Sequence, residues 1–442
     1  MLFRKYLQTL VEWKEKDDRK PLLVVGARQV GKTYLIKEFA GAYFADCLYV
    51  NFETNNMVSD IFTESIEPSN IIKGLEVVYS QKIDKKNTLI FFDEVQANPR
   101  ALNSLKYFCE NEPEYFVIAA GSLLGVHIKH ENYSFPVGKV DALTIYPLDF
   151  CEFLIATDNE SLMQEIKRHY LANTKAPDYI HKTAMDLFND YLAVGGMPAV
   201  VSEYIKSNSV MSAVDIQAEI LRNYRSDITK YAATSLEANR ILAAFDSIPV
   251  QLAKDNKKFR YKLVKKGGTS AMFGDAIEWL VNAGLAVKCY RTKVGVPLKL
   301  YEQLESFKLY LNDVGLLTNL ARFPLYLIKN REAVNEVMIG MLTENYVATC
   351  LIADGLNLNY WQSDYNAEID FILQTPLGRI LPLEVKAGQN TRSRSLVSYV
   401  KDYSPYYSLR VSTRNFGFEN NIKSIPLYAA FCISKNNLDS IN

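Results

Sequence analysis

The sequence predicts an α/β fold: a parallel sheet with helices on both faces, then a helical region ending in a strand pair, then a small α/β unit. Three observations predict it. Apolar runs at 22–25 (LLVV), 88–92 (TLIFF) and 115–120 (YFVIAA) alternate with helical stretches, the order of a doubly wound sheet. The first of these runs leads through a glycine-rich loop into a helix. Near the end, residues 368–386 read as strand, turn and strand with acids spaced along them.

Bulk composition sets the limits. At 442 residues the chain exceeds one comfortable core and predicts two or three domains. Fifty Lys and Arg balance fifty Asp and Glu, so no global field draws it to nucleic acid or an anionic surface, and such binding needs a local patch. Six cysteines without a CxxC spacing argue against a zinc ribbon or a disulfide framework, and most read as reduced core residues. The start, MLFRKYLQTLVEWKEKDDRK, lacks the apolar core of a secretory signal, and no apolar run is long enough to span a bilayer. The expectation is a soluble cytoplasmic protein without membrane contact.

Taken in order, PLLVVGARQVGKT places a strand before Gly26, and Gly26, Ala27, Arg28, Gln29, Val30, Gly31, Lys32 and Thr33 fit G-x-x-x-x-G-K-[ST] in every fixed position. The pattern suits ATP. Gly26 and Gly31 let the backbone turn its N–H groups around phosphate oxygens, Lys32 reaches the β- and γ-phosphates, and the Thr33 hydroxyl ligates Mg²⁺. The helix that follows, YLIKEFAGAY, points its positive end at the same anion. TLIFFDE is a buried parallel strand ending in two acids. Asp93 is expected to hold Mg²⁺ through water and Glu94 to orient and deprotonate the attacking water, although acids also cap helices.

GARQVGKT, FFDEVQ, AAGSLLG and VGKVDALTIYPLDFCEFL together resemble the AAA-type P-loop ATPases of bacteria and archaea that carry a C-terminal domain of unknown function. The resemblance runs from the first strand to the region of Gly388. It implies a P-loop NTPase sheet and makes Ser122, after YFVIAAGS, a candidate γ-phosphate or water sensor; Gly-Ser is also ordinary turn chemistry. Two positions depart from the pattern. The family commonly reads Pro at Ala27 and Arg at Lys139, and a lysine does not replace a bidentate guanidinium.

After Pro147 the pattern turns helical. GGMPAV, Gly195 to Val200, resembles a landmark of the passage out of the ATPase, and it also reads as a helix cap and a proline-started restart. Arg222 and Arg225 share a helix face, which suits a solvated surface or an arginine finger. From Leu236 to Asn319 helix, helix and strand pair follow in the order of a winged helix. Within it Lys254, Lys257, Lys258, Arg260, Lys262, Lys265 and Lys266 face only Asp255, with Phe259 and Tyr261 interleaved. This stretch, 254–266, is the candidate DNA contact, with a solvated loop as the alternative. The expected domains are 1–205 (ATPase with helical lid), 206–330 (winged-helix-like) and 331–442 (restriction-endonuclease-like).

That last domain is expected from a resemblance to the restriction-endonuclease-like fold, carried by a helix with Glu344, a strand with Asp370, and RILPLEVKAG, in which Glu384 and Lys386 project to one side. A hairpin would bring Asp370 opposite Glu384. Asp370 and Glu384 would then hold Mg²⁺, Glu344 would add a ligand, and Lys386 would aid the attacking water. His127 and His130, three apart, read as surface loop, since no further ligand stands at metal spacing. The leading expectation is an Mg²⁺-dependent ATPase acting as switch or remodeller near nucleic acid. An ATP-regulated, metal-dependent DNA nuclease and a non-hydrolysing, nucleotide-latched protein-interaction module are the alternatives, and the sequence does not indicate an oligomeric state.

Overall fold

The computed structural model describes residues 2–54, 56–122, 125, 136, 138–329, 336–363, 367–388 and 393–440. His127 and His130 lie outside them. The chain forms two compact units, one built on Arg4–Tyr146 and one on Pro147–Val281 with Leu285–Asn442.

The first unit contains, in order, α1 (Tyr6–Glu15), β1 (Leu22–Val25), α2 (Lys32–Tyr43), β2 (Asp46–Asn51), α3 (Asn56–Glu64), α4 (Pro68–Tyr79), β3 (Thr88–Asp93), α5 (Pro99–Asn111), β4 (Phe116–Gly121) and β5 (Asp141–Thr144). The strands form one sheet in the order β2-β3-β4-β1-β5, and every pairing is parallel. Alternation along each strand sorts the core. Leu48, Val50, Ile90, Phe92, Val117 and Ala119 pack under α3, α4 and α5, where Phe92 meets Phe52 and Phe62 at ring distances of 5.7 and 5.5 Å. Phe116 points the other way and meets Trp13 of α1 at 6.2 Å, and Trp13 meets Phe39 of α2 at 6.5 Å. Helices therefore cover both faces. All six residues of β3 are buried, which is why TLIFFD reads as an unbroken apolar run. Because the strands are parallel, the ends of β1, β3 and β4 open on the same edge, where ligands bind in such sheets.

The second unit begins with helices. α6 (Phe150–Ala156) starts in a capping box between Asp149 and Glu152. α7 (Glu160–Ala172), α8 (Asp178–Val194), α9 (Pro198–Ser207), α10 (Val210–Tyr231), α11 (Ser235–Leu252), α12 (Tyr261–Val264) and α13 (Ser270–Asn282) follow. GGMPAV is a helix cap and a restart: Gly195 follows α8 with φ 73°, and Pro198 opens α9. It is also a docking point. Gly196 N donates to Asp313 Oδ2 at 2.6 Å, and a Cβ on Gly196 would lie 1.9 Å from the Leu148 carbonyl oxygen.

β6 (Ala286–Thr292) and β7 (Glu302–Leu311) pair antiparallel, then come α14 (Val314–Leu320), α15 (Leu325–Lys329) and α16 (Glu336–Ala353). The C-terminal part adds β8 (Asn359–Gln362), β9 (Glu368–Ile369), β10 (Phe371–Gln374), β11 (Ile380–Lys386), α17 (Arg394–Tyr403), β12 (Ser408–Ser412), β13 (Gly417–Glu419) and β14 (Ile422–Pro426). These strands form two sheets, β7-β6-β8-β9 and the mixed β10-β11-β12-β14-β13. The helix, helix and strand-pair order expected between 236 and 319 is present as α11, α13 and β6–β7. However, β6 is not the edge of a free wing, because β8 pairs with it through Tyr290 and Asn359. The expected boundaries at 205 and 330 both fall inside this unit.

Candidate functional site

The phosphate loop spans the gap between β1 and α2. Gly26 has φ +148° and Gly31 φ +90°, and a Cβ at Gly26 would lie 2.3 Å from the Ile145 carbonyl oxygen, so glycine is required at 26 on two counts. Lys32 Nζ donates to the carbonyls of Gly26 at 2.9 Å and Ala27 at 2.8 Å. Burial pulls its pKa down to about 8, against the attraction of Glu94 and Asp93 and with repulsion from Arg28. Arg28 itself pairs with Glu53 at 3.1 Å. Gln29 takes φ 66°, while Ala27 and Val30 are buried beneath the loop.

β3 delivers the acids. Thr33 Oγ1 donates to Asp93 Oδ2 at 2.8 Å, and the Tyr49 hydroxyl donates to the same oxygen at 3.0 Å. Burial raises the Asp93 pKa, the Thr33 bond lowers it, Glu94 raises it and the Tyr49 bond lowers it. Glu94 follows with φ 51°, and its Oε2 accepts from Gln96 Nε2 and from Ser122 Oγ, the latter at 3.3 Å. Ser122 arrives from the end of β4. The residues predicted for phosphate, metal, water and sensor roles are thus gathered on one edge of the sheet. Thr33 and Asp93 offer a pair of touching oxygen donors, the kind of set that holds Mg²⁺ alongside its waters.

Three residues here are not among those the sequence singles out. Gln96 lies two places beyond Glu94 in FFDEVQ and was within reach of local reading. Tyr49 needed the β2–β3 register, in which Tyr49 stands opposite Phe91 and Asn51 opposite Asp93. Arg4 precedes the loop by more than twenty residues. Its guanidinium donates to Val30 O and Tyr146 O, both at 2.6 Å, and ties the loop to the end of β5. Lys139, where the resemblance expected arginine, is paired with Glu110 at 2.8 Å. Arg225 is paired with Asp246 at 2.7 Å.

The C-terminal cluster lies in the second unit. Phe371 pairs with Leu383, so the next position along that register sets Asp370 opposite Glu384. Asp370 marks the point where the chain leaves the β9 sheet for the β10 sheet, and its Oδ2 accepts from Val385 N at 2.8 Å. Lys386 Nζ reaches Glu384 Oε1 at 2.9 Å. Glu384 is 2 % exposed and its Oε2 is without a hydrogen-bond partner, as is Nε of Arg410 on the neighbouring strand.

The expectation that Glu344 ligates metal does not fit this geometry. Its carboxylate is taken by Lys257, by Lys308 at 3.0 Å and by the Tyr310 hydroxyl at 2.5 Å. Burial opposes its ionisation, but Lys257 and Lys308 outweigh burial and hold its pKa low. Lys308 also reaches Glu368 Oε1 at 2.6 Å and lies 3.8 Å from Asp370 Oδ1. Burial, with Glu344 next, raises the Asp370 pKa. Among the described residues no group of three or more His, Cys, Asp or Glu side chains is set to hold a metal ion. Glu344 is thus engaged by lysines, while Asp370 and Glu384 stand opposite each other. Lys308 is not legible locally, since an isolated lysine in FKLYL reads only as part of a strand.

The basic stretch is also altered. Lys257 turns inward to Glu344, and Phe259 is buried and stacks on Phe307 at 5.5 Å. Lys254, Arg260, Lys262, Lys265 and Lys266 remain exposed. No helix among the described residues is long and apolar enough to cross a membrane.

Comparison with known families matches residues 18–154 to an AAA domain, 185–325 to a domain of unknown function (DUF8612) and 339–430 to another (DUF4143). No curated protein matches the chain. Among solved structures, the ORC2 protein of Aeropyrum pernix, in ADPNP-ADP complexes, is 13% identical with a TM-score of 0.33, over 74% of this chain and 92% of that one. The ORC1 protein of Aeropyrum pernix in complex with DNA is 13% identical at TM-score 0.29, over 73% and 92%. AMPPCP-bound DnaA from Aquifex aeolicus is 12% identical at TM-score 0.27, over 62% and 86%.

Proposed function

We propose that this chain, whose residues 18–154 are an AAA domain followed by two domains of unknown function, is an Mg²⁺-dependent ATPase acting as a switch or remodeller on a partner linked to nucleic acid. The observation that carries the reading is the meeting of Thr33 with Asp93 at 2.8 Å beside a Glu94 held by Ser122. Loop N–H groups bind the phosphates. Lys32 exchanges two carbonyl oxygens for β- and γ-phosphate oxygens, which are stronger partners for an ammonium. Mg²⁺, when bound at Thr33 and Asp93, neutralises charge on the phosphates. Glu94 orients the attacking water and accepts its proton, while Ser122 and Gln96 fix the direction of the carboxylate. Nucleotide turnover by the purified protein, by Lys32→Ala and by Glu94→Gln tests this, and equal rates in all three sink it.

The C-terminal part is read as restriction-endonuclease-like on its element order: a helix with Glu344, then Asp370, then Glu384-Val385-Lys386 on the paired strand. The alternative of metal-dependent cleavage rests on Asp370 and Glu384 as its metal pair, and the lysines on Glu344 weigh against that residue as its added ligand. The exposed lysines and arginine of 254–266 support DNA contact of the phosphate-neutralising kind. Binding of a mixed-sequence duplex should weaken steeply with salt, and Lys265→Glu with Lys266→Glu should flatten that dependence by about two units of slope. An unchanged slope contradicts DNA contact here.

A further inference from the structure

We infer that Lys308 is a built-in cation standing where a divalent metal would stand in the C-terminal acid cluster, so that this cluster is an internal charge lock and not a metal site. The position argues it first. The Lys308 ammonium lies 2.6 Å from Glu368, 3.0 Å from Glu344 and 3.8 Å from Asp370, so one cation faces carboxylates from α16, β9 and the β9–β10 junction. Those three carboxylates already turn oxygens toward one ammonium, whereas a calcium-like ion needs oxygens drawn in from several sides and Mg²⁺ demands near-octahedral geometry.

Charge balance argues it next. Four carboxyl groups, Glu344, Glu368, Asp370 and Glu384, stand among four basic side chains, Lys257, Lys308, Lys386 and the adjacent Arg410, so the acids are already matched one for one. A divalent ion added to that set would be an uncompensated charge in a buried region. Delivery argues it third. Lys308 is fully buried on β7, which is held to β6 by strand pairing, and its ammonium lies over the Tyr360 ring at 5.0 Å. A lysine on a paired strand does not swing aside as a loop side chain does.

The lock also has a structural meaning. It joins β7 and the 254–260 segment to α16 and β9, which span the boundary expected at 330. One buried ammonium thus adds an ionic tie to the pairing of β6 with β8 between the strand pair and the C-terminal segment.

The test is Mn²⁺ binding to the full-length, nucleotide-free protein, with free Mn²⁺ counted by electron paramagnetic resonance at up to about 1 mM, a range that captures weak carboxylate sites. The lock predicts that wild type and Asp370→Asn bind the same amount. It also predicts that Lys308→Ala gains one Mn²⁺ per chain, with a melting temperature that rises when Mn²⁺ is added. Lys308→Arg keeps the cation and gains none. Loss of a bound Mn²⁺ on going from wild type to Asp370→Asn would overturn the inference. So would a folded Lys308→Ala that gains no ion. If Lys308→Ala folds only with Mn²⁺ present, the lock is supported, and if it does not fold at all the wild-type and Asp370→Asn comparison decides.

Discussion

The guanidinium of Arg4 donates to the carbonyl of Val30 at 2.6 Å, and so an arginine ahead of the first helix grips the middle of the phosphate loop. Its second arm holds Tyr146 O, at the end of β5. Arg4→Ala removes two charge-assisted bonds from a buried position, each worth about 1.5–3 kcal/mol. The expected outcome is a lower melting temperature and a several-fold higher KM for ATP with kcat less affected, read by calorimetry and steady-state kinetics. An unchanged KM contradicts a role in shaping the loop.

Tyr49 shares Asp93 Oδ2 with Thr33, and both bonds favour the ionised carboxylate. In Tyr49→Phe the Asp93 pKa should rise further above its ordinary value. The Mg²⁺ concentration for half-maximal turnover should increase, and the acid limb of the pH profile should move to higher pH. A profile that does not move shows that Tyr49 is merely packed there.

Lys32 titrates near 8 because it is buried. Bound phosphate favours the charged form, so binding ATP above pH 8 should take up a proton. Calorimetric titrations in buffers of different ionisation enthalpy measure this directly: uptake should be near zero at pH 6.5 and approach one proton by pH 9. ATP affinity should fall across the same window.

Asp313 couples Gly196 to the start of α14 by accepting from Gly196 N at 2.6 Å and Leu316 N at 2.8 Å. Burial lifts its pKa from 3.8 to about 6 against those bonds. A folded-state pKa raised above the unfolded value contributes stability that is fully present below pH 3.8 and lost as pH rises through 6. Relative to Asp313→Asn, the wild type should therefore be about 2 kcal/mol better off at pH 4 than at pH 7. Urea melts at the two pH values check this, and a pH-independent difference contradicts it.

Local sequence carried much of this structure, for reasons that particular residues show. Gly26 to Thr33 is legible because backbone turning, phosphate reach and the hydroxyl are all encoded within eight consecutive positions. Asp93, Glu94 and Ser122 are legible because each ends a buried apolar strand, and parallel strands bring such ends together. Arg4 and Tyr49 were hidden because their partners come from other elements. The C-terminal cluster shows the limit best. Asp370, Glu384 and Lys386 follow from period and turn, whereas Lys257 and Lys308 enter from segments far off in sequence and change what the acids can do.

The central claim is that Glu94, beside Thr33 and Asp93, activates water at a bound nucleotide. Single-turnover hydrolysis of ATP with Mg²⁺ by wild type and Glu94→Gln, with ATP binding measured on the same samples, tests it most directly. The account predicts that Glu94→Gln binds ATP within a few-fold of wild type while hydrolysis falls by about 10²-fold or more. Hydrolysis by Glu94→Gln at the wild-type rate would contradict it.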